Sequence, residues 1–223
     1  NGVGMIHRIN TKISGTVEGV IDGTTVASAY NVLDLPFGYY PVDIASYGTD
    51  LAILAFRSTD TTVNQGDAAL FLWDVTNTDT FYRGPIPLSD PLATAILNVN
   101  GTLVIWSGNA GNGVRMSKYI GGDSISEIVY QEENTPPLQD GVDARGNRIV
   151  WGGWTTYPVT SGSVFAINSK NIRLSGSPPP IHNVAKTSTT GTTPTVTSVK
   201  FIQQSSNIQP RVIMGWRNTT TQG

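Results

Sequence analysis

The sequence predicts an all-β fold, a β-propeller built of four-stranded antiparallel blades. Three observations carry that expectation: a hairpin that recurs four times, further strand pairs between the copies, and no helical periodicity sustained over three turns. The hairpin copies are Val42–Phe56, Thr94–Gly108, Gly141–Gly153 and a looser Thr197–Trp216. Each is a β-rich run, a turn, and a second run ending in an aromatic or other large apolar residue followed by a small one. On that pattern Leu54, Trp106, Trp151 and Met214 share one register position, and Ala55, Ser107, Gly152 and Gly215 the next. Ile53, Ile105, Val150 and Ile213 are then expected to be buried at equivalent positions.

The repeat divides the chain. Residues 1–20 read as an outer half-blade, because Asn1–Met5 resembles Asn112–Met116, where a third strand starts. Residues 21–40 read as a connector, 41–90 and 91–137 as blades, 138–196 as a blade with a Pro- and Thr-rich insertion, and 197–223 as an inner half-blade. Between the hairpins, Ala68–Val75 and Thr80–Gly84, then Val114–Ile120 and Ile125–Tyr130, then Ser163–Asn168 and Asn171–Leu174 supply third and fourth strands. Their β-branched and aromatic residues, bounded by Gly, Asn and Asp, suit antiparallel pairing. The spacing is 52 residues from Leu51 to Leu103 and 45 from Leu103 to Arg148, the size of one blade. From Arg148 to Arg211 it stretches to 63, which places Ser177–Ile181 and Lys186–Thr197 in loop. Two explanations of the half-blades stay open. Either the ends meet in one composite blade, with Met5 and Ile6 in the sheet of Ile213 and Met214, or the segment belongs to a longer propeller.

Composition narrows the function. Only 13% of the 223 residues are charged, against about 25% in an average domain, and Thr, Asn, Ser and Gly carry the polarity. A net charge of −2 without a basic cluster argues against a nucleic-acid partner. No apolar run is long enough for a transmembrane helix. With no Cys there is neither a disulfide framework nor a thiolate metal site. His7 and His182 have no second ligand at metal spacing; His7 reads as a strand-face residue and His182 as a loop residue. The polar stretch Asp60–Asp67 lacks the ligand density of a calcium loop.

No catalytic constellation emerges. Gly-x-Ser-x-Gly is absent, and so are the phosphate-loop pattern and the Ser-x-Asp-x-Gly-x-Thr-Trp box of sialidase-type propellers. Asp43, Asp50, Asp74, Asp90, Asp123, Asp140 and Asp143 sit among turns and strand ends, where Asx-type roles account for them. Trp106 and Trp151 read as packing between blades. Trp154, Tyr157 and Trp216, where strands run into Gly- or Thr-rich sequence, form the candidate ligand-binding set, and Tyr39-Tyr40-Pro41 is a similar case. Asn100-Gly-Thr102 and Asn218-Thr-Thr220 match the glycosylation pattern, but Asn100-Gly101 is also a two-residue hairpin turn.

The repeated hairpin resembles blades of the WD-repeat and related propellers, and Trp73-Asp74 reproduces the Trp-Asp dipeptide once; the Gly-His partner is absent. Pro36–Tyr47, Ser117–Gly122, Asp143–Gly153 and Pro210–Trp216 look like predicted, largely uncharacterised structural proteins of uncultured tailed bacteriophages. That resemblance implies a place in the virion and brings no catalytic residues. The expectation is therefore a non-enzymatic structural or host-surface interaction module. It would need no cofactor or metal and would have protein partners in a larger assembly, either building the tail or capsid exterior or contacting a host-surface glycan or protein. The alternative is a secreted carbohydrate-binding or carbohydrate-active propeller, lectin- or glycosidase-like.

Overall fold

A computed structural model describes residues 5–7, 32–58, 66–74, 83–109, 113–131, 136–155, 161–170, 181–186, 195–202 and 211–217. Most of them are strand. A short pair, β1 (Met5–His7) and β2 (Val32–Asp34), comes first. Sheet I is β3 (Tyr39–Tyr47), β4 (Asp50–Ser58), β5 (Gly66–Trp73) and β6 (Arg83–Pro87). Sheet II is β7 (Leu92–Val99), β8 (Thr102–Gly108), β9 (Val114–Gly121) and β10 (Ser124–Gln131). Sheet III is β11 (Val142–Arg145), β12 (Arg148–Thr155), β13 (Ser161–Asn168) and β14 (His182–Lys186). The strand pair β15 (Thr195–Ile202) and β16 (Arg211–Arg217) ends the series. Each sheet is an antiparallel meander in chain order. The all-β class and the repeated four-stranded sheet thus match the sequence.

Turn chemistry sets the hairpins. Asn100 (φ 52°) and Gly101 (φ 81°) both adopt the left-handed region that a tight two-residue turn demands. Gly146 (φ 56°) opens the corresponding turn of sheet III.

The sheets stack face to face, so their strands alternate between two apolar layers rather than between core and solvent. In β4, Ile53 and Ala55 face Leu33 of β2 and Leu35 just after it, while Ala52 and Leu54 face sheet II. In β8, Leu103 and Ile105 face back to sheet I, while Val104 and Trp106 face forward to sheet III. Val150 and Val164 of sheet III meet Val196 and Val199 of β15. Gly152 permits that contact, since a Cβ there would lie 2.5 Å from Val196 Cγ1. Burying a Leu- or Ile-sized side chain stabilises by roughly 1.5–3 kcal/mol, and each layer holds several.

Aspartates clasp successive first strands. Ile96 N–H on β7 donates to Asp43 Oδ2 on β3 (2.9 Å), and Phe201 N–H on β15 donates to Asp143 Oδ2 on β11 (2.7 Å). The 3-10 turn Gln139–Gly141 touches β7 and β15, and Gln139 Nε2 donates to Asp43 Oδ1 at 3.0 Å. First strands of sheets I and II and of the last pair all reach this turn.

The ladders correct several expectations. Leu54 and Trp106 stand four residues past the hairpin-closing Asp50 and Thr102, whereas Trp151 stands three past Arg148. With a side-chain period of two, that single residue reverses the face. Trp151 therefore points back at sheet II and meets Trp106 (ring centroids 6.5 Å apart) instead of copying it. By the same slip Val150 faces forward where Ile53 and Ile105 face back. Ile53, Ile105 and Val150 are buried, but Ile213 is 53% exposed, because no sheet covers the forward face of β16 among the described residues. Met5 and Ile6 pair with Asp34 and Leu33 of β2, not with β16. The 21–40 connector accordingly contains a strand.

The fourth strand of sheet III is His182–Lys186, with His182 paired to Ala166, so His182 is a strand residue and not a loop residue. Asn171–Leu174 lies outside the described residues. The fourth strand of sheet I, expected at Thr80–Gly84, is described from Arg83 to Pro87, and residues 80–82 lie outside the described residues. Its prolines, Pro85 and Pro87, are tolerated because β6 is an edge strand that needs donors on one side only.

Candidate ligand-binding rim

In every four-stranded sheet the second strand ends, the third begins and the fourth ends at one end, here called the rim; the hairpin turns lie at the opposite, tip end. The aromatics divide by end. Among the described residues, the exposed ones are Phe37 (68%), Tyr40 (44%), Tyr130 (45%) and Trp216 (40%). Phe37 precedes β3, and Tyr40 is its second residue. Tyr130 pairs with Arg115 near the start of β9, and Trp216 with Val196 near the start of β15. All four belong to the rim.

Of the residues singled out from sequence, Trp216 is thus exposed at the rim. Trp154 lies near the rim end of β12, its backbone paired with Gly162. Tyr157 lies outside the described residues, in the stretch joining β12 to β13.

A cavity of about 420 Å³ opens at the rim of sheet I. Tyr39, Arg57 and Asp67 form one wall, Ser89 and Asp90 another, and Pro85, Pro87, Leu88 and Pro91 supply apolar surface. Arg57 and Asp67 face each other across the β4–β5 ladder. Arg57 Nε donates to Asp67 Oδ2 (3.2 Å), Nη2 bonds the same oxygen, and the guanidinium lies 5.0 Å from the Tyr39 ring centroid. The Asp67 hydrogen bond raises the Arg57 pKa further, so the cation persists at any working pH. Burial pushes the Tyr39 phenol up, partly offset by the Arg57 charge.

Asp90 is fixed from behind. Ser107 Oγ and Arg115 Nε both donate to its Oδ2 (2.7 and 2.8 Å). Arg115 is itself shared with Glu127 and lies 4.9 Å from the Tyr130 ring centroid. Removing Asp90 would leave Arg115 with Glu127 as its carboxylate partner and would take from Ser107 its acceptor.

Neither a family model, nor a curated protein, nor a solved structure matches the chain. Among the described residues no three His, Asp, Glu or Cys side chains gather to hold a metal ion, and no helix is long and apolar enough to cross a membrane. Sequence reasoning missed the cavity. Tyr39 stands out in the sequence as an exposed-aromatic candidate but is buried; Asp67 stands out only as the end of the polar stretch Asp60–Asp67, Asp90 only as a turn residue, and Arg57 not at all. Only the tertiary fold brings them to one cavity.

Proposed function

We propose that this chain is a non-enzymatic recognition module, its sheets the successive blades of a β-propeller and its rim the surface that meets a partner. The location of every described exposed aromatic at one end carries the reading, because amphipathic rings left in water at one edge suit a contact surface. The convergence of first strands on Gln139–Gly141 supports the propeller. The likeness to tailed-phage structural proteins supports a place in a virion, with protein partners in the particle and a host glycan or protein beyond it.

A photo-cross-linking residue at Phe37, compared with one at Thr49 on the tip end, tests the reading in purified phage particles incubated with host envelopes. Adducts to a particle or envelope component from position 37 and none from position 49 are expected. Equal labelling from both ends, or from position 49 alone, overturns it.

The carbohydrate-directed alternative has one observation in its favour: Asp67 and Asp90 line the same cavity. Each already bonds an arginine, which suits hydrogen-bonding to hydroxyls better than proton transfer. Turnover of a glycoside, abolished by changing either aspartate, would decide for an enzyme.

A further inference from the structure

We propose that the rim cavity of sheet I binds one neutral saccharide unit, an assignment that rests on the rim being the recognition surface. Charge selects the ligand class. The cavity presents two carboxylates, Asp67 and Asp90, and each is matched by an arginine, Arg57 and Arg115. An anion such as phosphate would meet both carboxylates and only one cavity-lining guanidinium. A cation would have to compete with an arginine already in place at each carboxylate. A neutral polyhydroxyl compound meets neither obstacle.

The hydrogen-bonding geometry fits the same class. Arg57 uses Nε and Nη2 on a single oxygen of Asp67, and Asp90 takes both of its protein donors on Oδ2. Among the described residues, Arg57 Nη1, Asp67 Oδ1 and Asp90 Oδ1 have no protein partner. They offer one donor site and two acceptors, the mixture that vicinal hydroxyls satisfy by donating and accepting at once. Charge-assisted bonds of this kind are among the stronger ones available. The C–H faces of a sugar ring need apolar surface, and Pro87 and Leu88 provide it beside the polar wall. Tyr39, stacked beneath the Arg57 guanidinium, holds that side chain in position. The cavity volume falls within the roughly 300–1,000 Å³ usual for small-molecule sites.

Saturation-transfer NMR of the intact chain tests this against glucose, galactose, rhamnose and N-acetylglucosamine, with N-acetylneuraminic acid and glucose 6-phosphate as anionic probes. At least one neutral sugar should bind. Arg57→Ala and Asp67→Ala should each weaken that binding by about tenfold, with circular dichroism and melting temperature unchanged. Thr49→Ala at the tip end should bind as the unaltered chain does. Binding of the anionic probes in preference, equal binding by the Arg57 and Asp67 variants, or no binding of any neutral sugar overturns the assignment. If sugars fail while position 37 still cross-links, only the saccharide assignment falls; if the cross-links fail too, the rim reading falls with it.

Discussion

The tip end and the rim end of these sheets solve different problems with the same strands. At the tips, polar groups reach from one sheet to the next. Asn98 Nδ2 donates to the Ser46 carbonyl (2.6 Å), Asn100 Nδ2 to the Gly146 carbonyl (3.1 Å), and Arg83 pairs with Asp123. Tyr47 and Tyr119 also meet edge to face there, with centroids 5.7 Å apart. At the rim, the ion pairs Arg57–Asp67 and Arg115–Glu127 each stay within one sheet, and aromatic rings are left in water. One end ties the stack together, and the other is free to change its chemistry without loosening it.

Two tryptophans put the largest number on that contrast. Trp151 is 1% exposed, packs on Trp106 and Phe165, and donates its indole N–H to Gln131 Oε1 (3.1 Å). Trp151→Ala should cost about 3–5 kcal/mol in chemical denaturation. Trp216→Ala, at the exposed rim, should stay within about 0.5 kcal/mol of the unaltered chain. A comparable loss from both would mean that the rim aromatics hold the fold, and the division between ends would fail.

That division was only partly visible in the sequence. Repeats, Asn-Gly turns and alternation made the four-stranded units legible, because they depend on neighbours a few residues apart. The faces were harder. Aligning Trp151 with Trp106 by the aromatic–small pair ignored the turn at Gly146, and one residue of slip turned a supposed copy into the opposite wall of one layer. The fourth strand at His182–Lys186 was hidden because its pairing with β13 bridges residues 169–181. The cavity is a tertiary product: Asp90 reaches Arg115 across 25 residues, and no local pattern announces that pair.

A middle-sized effect tests the tip end alone. Asn98 donates to sheet I and accepts from the Gly101 N–H at 2.8 Å, so it braces the β7–β8 turn against its neighbour. Asn98→Ala should lower stability by about 0.5–1.5 kcal/mol for each hydrogen bond lost. Phe37→Ala at the rim should leave the denaturation midpoint in place. If the two variants change places, the tips are not the end that ties the stack together.

The smallest effect compares one tyrosine from each end by pH. Burial raises the pKa of both Tyr39 at the rim and Tyr119 at the tip above the ordinary 10.0, and a nearby arginine, Arg57 or Arg83 respectively, pulls each part of the way back. A raised pKa means that the folded chain keeps a phenolic proton which the unfolded chain has begun to lose. The stabilisation is therefore complete below about pH 10 and disappears as pH rises through the folded value. NMR titration of ring carbons should show both phenols ionising above 10. Arg57→Ala should move Tyr39 higher still while leaving Tyr119 unchanged, because Arg83 alone supplies the arginine charge acting on Tyr119. A downward movement of Tyr39 would show that the guanidinium acts there mainly by excluding water, and that the rim wall is held by packing rather than by charge.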